Sequence, residues 1–324
     1  MRTRARRTST AACTADPRQG AIVTTRTTQR GKQGGGARTA LAFLAPLALI
    51  YLVFFGYGFW FLIQTSFTRV GLSFTDAVSV GFDNYRLLFQ DETFRTAVLN
   101  NLLFAAISIV AALTLAYFVA FAISAGLRPK RLMYVLFLVP SLMPLSLVST
   151  IFGSMLQERF GVLNETLRSV GLGSLAQPWL TDPTLAFGVV AVIFCYLIGL
   201  PIMYYTADLS AVSSEVVEAA LLDGAGTFRI MRTVVYPMLK STHITVVLSL
   251  LLGSFRALEV VLFSTGGGPV GHTEIVGTFL YRFSTDPGPR TGFVAAAAVI
   301  VLLIAFLISL VQMIVTRPKQ GAGR

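Results

Sequence analysis

Six stretches of this chain are apolar for about 20 residues or more, the length an α-helix needs to cross roughly 30 Å of hydrocarbon. They run over 41–63, 102–123, 132–153, 185–206, 244–264 and 292–315. None is lengthened by bridging a charged loop, and only the fifth holds internal charges, Arg256 and Glu259. In lipid the backbone must satisfy its own hydrogen bonds, which leaves helices or a closed barrel. Barrel strands would alternate in hydrophobicity, and these runs do not. The expected fold class is therefore all-α, a polytopic membrane protein with six transmembrane helices. Composition agrees: 54% of residues are apolar and 13% charged, against about 25% charged in a soluble domain. That apolar content excludes disorder for most of the chain. Two cysteines exclude a disulfide-stapled extracellular scaffold.

The net charge of +11 fits an anionic membrane surface or a nucleic acid. Its distribution decides for the membrane. Placing both termini in the cytoplasm puts eighteen Lys and Arg in residues 1–40, 124–131, 207–243 and 316–324, against seven in the outer loops. An excess of basic residues marks the inner side. The turn Arg128-Pro129-Lys130-Arg131 is the strongest local determinant. The expected organisation is a disordered basic cytoplasmic tail over 1–40, a membrane domain over 41–315 and a short cytoplasmic tail over 316–324. The tail is expected to lie near anionic lipid, with no nucleic-acid partner. The first apolar run is too long for a signal peptide and lacks a small-residue cleavage site, so it reads as a retained span.

No catalytic motif is present: no phosphate loop, no H-E-x-x-H, no G-x-S-x-G and no C-x-x-C. His243 and His272 fall on opposite sides of the expected membrane, which rules out a shared metal site. No cofactor is expected in this chain, and it is not expected to be an enzyme.

The loop over 207–240 is far longer than adjacent helices need. It reads as two amphipathic pieces. Ser214 is the expected N-cap of the first, with Glu215 near its positive end. Val217, Ala220 and Leu221 make one apolar face. Gly224 ends that helix and Ala225-Gly226 permit a tight turn. The second piece, 227–235, sets Phe228, Met231, Val234 and Val235 against Arg229 and Arg232, and Pro237 ends it. Ala219, Ala220, Gly224 and Ala225 allow another backbone to approach, and Glu218 and Asp223 flank them. Those acids disfavour an anionic lipid surface and favour insertion into a groove on a protein partner.

Glu218-Ala219-Ala220, then Gly224, then Pro237, resembles the E-A-A loop of ABC importer permeases. Val234 and Tyr236 stand where that pattern has Ile and Leu. The resemblance extends to Gly81-Phe82-Asp83-Asn84-Tyr85 with Asn100-Asn101, to Phe160-Gly161-Val162-Leu163-Asn164 with Trp179-Leu180-Thr181-Asp182-Pro183, and to Ser264-Thr265-Gly266-Gly267-Gly268-Pro269. Together these resemble the type I, binding-protein-dependent carbohydrate permeases of the maltose and glycerol-phosphate kind. Asp208 departs from the usual apolar stretch at the end of the fourth span.

The resemblance implies that Glu218, Ala219, Ala220, Asp223, Gly224 and Ala225 form a coupling helix docked on a cytoplasmic ATPase. It implies two ATPase subunits carrying ATP and Mg, a second permease chain, an extracytoplasmic solute-binding protein and a place in the cytoplasmic membrane. Arg256 and Glu259 are three apart and are expected to share a helix face. They line the substrate pathway, or pair with each other to fix the packing of the span, or Arg256 snorkels outward; a pathway role and a pairing can coexist. Asn100 and Asn101 read as interhelical hydrogen-bonding residues. Tyr196, Tyr204 and Tyr205 read as packing more readily than as sugar platforms. Pro140 and Pro144 are placed to kink the third span. A self-contained secondary transporter or channel is the alternative; Glu259 is then its lone intramembrane acid. A membrane enzyme would have to use Asp208, Glu215, Glu218 and Asp223.

Overall fold

The computed structural model describes residues 36–126, 130–285, 288 and 290–315. Residues 1–35, Arg128 and Pro129 of the basic turn, and the 316–324 tail lie outside the described residues. Helix α1 (Gly36–Ser66) begins within the segment expected as tail. Residues up to Gly56 form one unit and Tyr57 onward a second, to which every element after α1 belongs.

A two-stranded ribbon, β1 (Thr68–Arg69) with β2 (Val78–Ser79), leads to the short helix α2 (Asp83–Gln90). Helix α3 (Glu92–Ala111) starts at Asp91, whose carboxylate accepts the Phe94 N–H at 2.9 Å, a side-chain N-cap. A π turn, Ala112–Ala116, joins α3 to α4 (Tyr117–Ser124). The third apolar run is not one helix. It divides into α5 (Lys130–Leu142) and α6 (Leu145–Met155), bent by 106°. Pro144 has no N–H to continue α5 and holds the residue before it out of the helical region. Beyond α7 (Val162–Ser169), the fourth run forms α8 (Pro183–Tyr196) and α9 (Gly199–Leu209). Asp182 caps α8 and Pro183 fills its first position. Pro201 excludes a helical contact with the carbonyl of Leu197, where α8 ends.

The 207–240 segment carries α10 (Ser214–Leu222), α11 (Thr227–Arg229), a π turn over Ile230–Val235 and α12 (Tyr236–Met238). The chain then bends by 74° into α13 (Lys240–Arg256). Pro237 does not end the preceding segment, as its position promised. It sits inside α12, and the break falls at Leu239. Helix α13 stops at Arg256, and α14 (Leu258–Leu262) follows after Ala257. Helices α15 (Val276–Ser284) and α16 (Thr291–Val315) complete the chain. Among the described residues, four helices are long and apolar enough to cross a membrane, or up to six if each bent pair counts as one span.

Three buried clusters hold the bundle. Phe104 lies at the centre of one, stacked on Phe187 at 4.6 Å and Phe194 at 5.3 Å, with Val190, Ile193, Val260 and Val261 around it. A second joins α2, α3, α15 and α16 through Leu88, Phe94, Ala97, Phe279 and Ala297. The third lies beside the 207–240 loop, where Ala112, Ala116 and Ala120 are fully buried against Ile198, Ile202 and Tyr205. Small residues let those helices approach closely. Gly199 shows how closely: a Cβ there would stand 2.2 Å from the carbonyl oxygen of Phe137 on α5. Leu303, Phe306, Leu307 and Ile314 of α16 are exposed. An outward apolar surface of this extent is suited to lipid or to another apolar chain.

Candidate functional site

Helix α10 is closed at both ends by its own neighbours. The N-cap is Ser213, one residue before the expected Ser214, and its hydroxyl accepts the Glu215 N–H at 3.2 Å. At the other end Gly224 adopts φ +76°, which favours glycine. Ala225 N–H then donates to Ala220 O, and Gly224 N–H to Leu221 O, both at 3.0 Å. These are the two bonds of a Schellman closure. Val217 and Ala220 pack inward, joined by Ala225, against the cluster of α4, α9 and the π turn. Leu221, expected on that face, is exposed instead, and Leu222 is 89% exposed. Of the six residues expected to dock, Glu218, Ala219, Asp223 and Gly224 are exposed while Ala220 and Ala225 are half-buried. The second piece also differs from its sequence pattern. Ile230, Met231 and Val235 are the buried residues of the π turn and Phe228 is exposed, because the wider turn shifts the inward face.

Beneath α10, side chains from three helices converge on this loop. The Tyr117 hydroxyl of α4 donates to Met231 O at 2.7 Å. His243 of α13 lies 2.9 Å from Tyr236 O through Nε2 and 2.8 Å from the Tyr205 hydroxyl through Nδ1. A carbonyl only accepts, so Nε2 carries the hydrogen and Tyr205 donates to Nδ1. The Asp208 carboxylate, the departure at the end of the fourth run, accepts from the Thr242 hydroxyl and ties α9 to α13. Nothing in the sequence pattern pointed to Tyr117 or His243.

A cavity of about 210 Å³ lies among α3, α6, α8, α9, α13 and α14. Most of its lining is apolar, with Ser108, Tyr204, Ser249 and Ser254 as polar members. The Ser108 hydroxyl is buried without a hydrogen-bond partner. Neither Arg256 nor Glu259 lines this cavity. They do not form an ion pair with each other either; the helix they were expected to share breaks at Ala257, between them. Glu259 instead reaches across to α6, where its Oε2 accepts the Ser146 N–H at 2.8 Å. That N–H belongs to the first turn of a helix restarted after Pro144 and has no intrahelical acceptor.

The remaining motif residues are clasps. Asn100 donates to the carbonyls of His272 (3.0 Å) and Glu274 (2.8 Å). Asn101 donates to Ser254 O at 2.7 Å and accepts the Val276 N–H at 2.8 Å. Within the glycine-rich turn, Thr273 donates to Gly268 O at 2.6 Å and meets the Thr265 hydroxyl at 2.7 Å. Glu274, 1% exposed, forms an ion pair with the half-exposed Arg282. Burial pushes its carboxyl above the usual range, and Arg282 only partly opposes that. Asn164 accepts the Trp179 indole N–H at 2.8 Å. Among the described residues no group of three His, Cys, Asp or Glu is placed to hold a metal.

Residues 112–319, which contain the loop, the aromatic–histidine cluster and most of the cavity, match the family of binding-protein-dependent transport system inner membrane components. The chain belongs to this family. A probable ABC transporter permease protein of Bacillus subtilis strain 168, YurN, is 30% identical over 276 residues, covering 84% of this chain and 93% of that protein. The sulfoquinovosyl glycerol transport system permease protein SmoG of Agrobacterium fabrum is 25% identical, covering 88% and 92%. The fold is shared with a solved bacterial alginate ABC transporter in complex with a periplasmic protein bound to an alginate pentasaccharide. There the TM-score is 0.72 at 20% identity, covering 87% of this permease and 95% of that chain. The permease is thus an integral membrane transport subunit.

Proposed function

We propose that this permease is one half of the membrane pore of an ATP-driven importer. It passes a carbohydrate, or a related polyol or sugar phosphate, delivered by an extracytoplasmic binding protein. The observation that carries this reading is α10, a short helix closed at both ends by its own residues. It turns Glu218, Ala219, Leu222 and Asp223 outward while Val217 and Ala220 rest on the transmembrane bundle. A body of that kind passes a push from a partner into the bundle. Glu218, Ala219, Asp223 and Gly224 meet the ATPase, and Ala220 and Ala225 seat the helix from within.

The complex has two cytoplasmic ATPase subunits, which hold the ATP and Mg, and a second permease chain. This chain crosses the cytoplasmic membrane six times with both termini inside, as its Lys and Arg distribution supports. The hydroxyls of Ser108, Tyr204, Ser249 and Ser254 in the cavity suit a polyhydroxylated solute. The name of the relative SmoG supports the same class. Glu259 acts beside the pathway, fixing α6 against α14.

The test is co-purification from the native membrane of wild type beside Gly224→Asp. Wild type is expected to bring down an ATPase with a phosphate loop and a second E-A-A permease, and the variant to lose the ATPase. Solute movement by the reconstituted chain alone, with no ATPase in mild detergents, would establish a self-contained transporter instead.

A further inference from the structure

Helix α10 touches the bundle through few side chains, and the segment after it has an irregular backbone. The π turn closes with Tyr236 N–H donating to Met231 O, and the next break falls at Leu239. A wide turn followed by a break is a weak rod by itself. Two carbonyls inside this weak stretch are held from outside it. Tyr117 of α4 holds Met231 O, and His243 of α13 holds Tyr236 O. Tyr205 of α9 holds the second ring nitrogen of His243. Tyr117 and Tyr205 are 4% and 0% exposed. The rings also touch: Tyr117 lies edge-on to Tyr236 at 4.9 Å and to Tyr205 at 5.5 Å, and Tyr236 lies 4.1 Å from His243.

We propose that Tyr117, Tyr205 and His243 are the positioning residues that make the loop move as one body with the bundle. The hydrogen bonds of Tyr117 and His243 to the two loop carbonyls, with Tyr205 fixing the His243 ring, brace the π turn, so a displacement of α10 reaches α4, α9 and α13 together. Removing the bonds leaves the ATPase docked and active but lets α10 move without the helices. This inference rests on the reading of α10 as the ATPase-docking helix.

The test uses the assembled complex with its ATPase in lipid nanodiscs, with the native cysteines replaced. Spin labels are placed at Glu215→Cys on α10, exposed and outside the docking residues, and Arg95→Cys at the far end of α3. Their distance distribution is measured without nucleotide and with ATP plus vanadate. The braced wild type is expected to keep one distance in both conditions. His243→Phe keeps a ring and loses both bonds, and Tyr117→Phe removes one oxygen. Each is expected to hydrolyse ATP while a second distance appears with ATP plus vanadate. The ratio of the second distance to the first rises about fivefold for Tyr117→Phe, the change one lost neutral hydrogen bond makes in a two-state equilibrium, and further for His243→Phe, which loses two. His243→Gln, which keeps a donor for Tyr236 O, is expected to restore much of the single distance.

Should His243→Phe fail to assemble, Tyr117→Phe decides. Variants that keep the wild-type distance in both conditions overturn this inference and leave the docking reading standing. A wild-type preparation that holds no ATPase overturns both.

Discussion

Replacing Glu259 by Ala removes the acceptor for the Ser146 N–H at the start of α6. Pro144 immediately before this helix supplies no side-chain cap, and the Leu147 and Val148 N–H groups already share the Pro144 carbonyl. Ser146 N–H is therefore left to whatever water or lipid offers. Loss of a side-chain cap typically costs about 1 kcal/mol. The helix dipole adds a few tenths for an exposed carboxylate. At this chain length about 1 kcal/mol lowers the melting temperature by roughly 1–2 °C. Glu259→Gln keeps an acceptor oxygen and gives up the charge, so it is expected to lose less than half as much. The assay is thermal unfolding of the detergent-solubilised complex followed by intrinsic fluorescence, beside ATP-driven uptake. A capping role orders stability as wild type, Gln, Ala. An unchanged melting temperature for Glu259→Ala, or equal losses for Gln and Ala, would refute the cap. If uptake alone fell, and equally for both, Glu259 would belong to the solute pathway.

Gly224→Val forces a β-branched residue into the left-handed region, a cost of about 1–2 kcal/mol, and should weaken ATPase co-purification while the chain still inserts. Asn101→Leu leaves the Val276 N–H without its partner and the Ser254 carbonyl with only the long 3.4 Å bond from Ala257 N–H, and at about 1–3 kcal/mol for an unsatisfied buried group should lower the yield of folded complex. Arg282→Met removes the cation beside Glu274. Because the Glu274 carboxyl already titrates above its ordinary range, the fold favours its neutral form. That contribution is full below the ordinary carboxylate range and is lost as pH rises through the raised value. The variant should therefore match wild type in melting temperature near pH 4 and fall progressively below it toward pH 8. Glu274→Gln in the same background should flatten that trend.

Much of the architecture was readable because bilayer physics writes it in long apolar runs. Gly224 as the end of α10 was readable too, since few residues other than glycine take φ +76° easily. What escaped had two causes. Treating the fifth run as a continuous helix put Arg256 and Glu259 on one face. The break at Ala257 separates them, and the true partner of Glu259 is a backbone N–H on a helix far away in sequence. The aromatic–histidine brace was invisible for a related reason. Tyr117, Tyr205 and His243 belong to three different helices, and each taken alone is an ordinary residue of an apolar helix. Phe228 is exposed because a regular 3.6-residue period does not describe the π turn that follows it, whereas Leu221 lies in the regular part of α10, where only Val217 and Ala220 of the expected stripe reach the bundle.

Helix α10 takes its shape from Ser213 at one end and from Gly224 and Ala225 at the other. It borrows no cap from the rest of the protein. A helix that carries its own stops behaves as an interchangeable part. Replacing its 9 residues with those of another permease, while keeping Val217 and Ala220 as the seat, should transplant the choice of ATPase without redesigning the bundle. Divergence among such transporters can then run along two separate tracks, one for the motor and one for the solute.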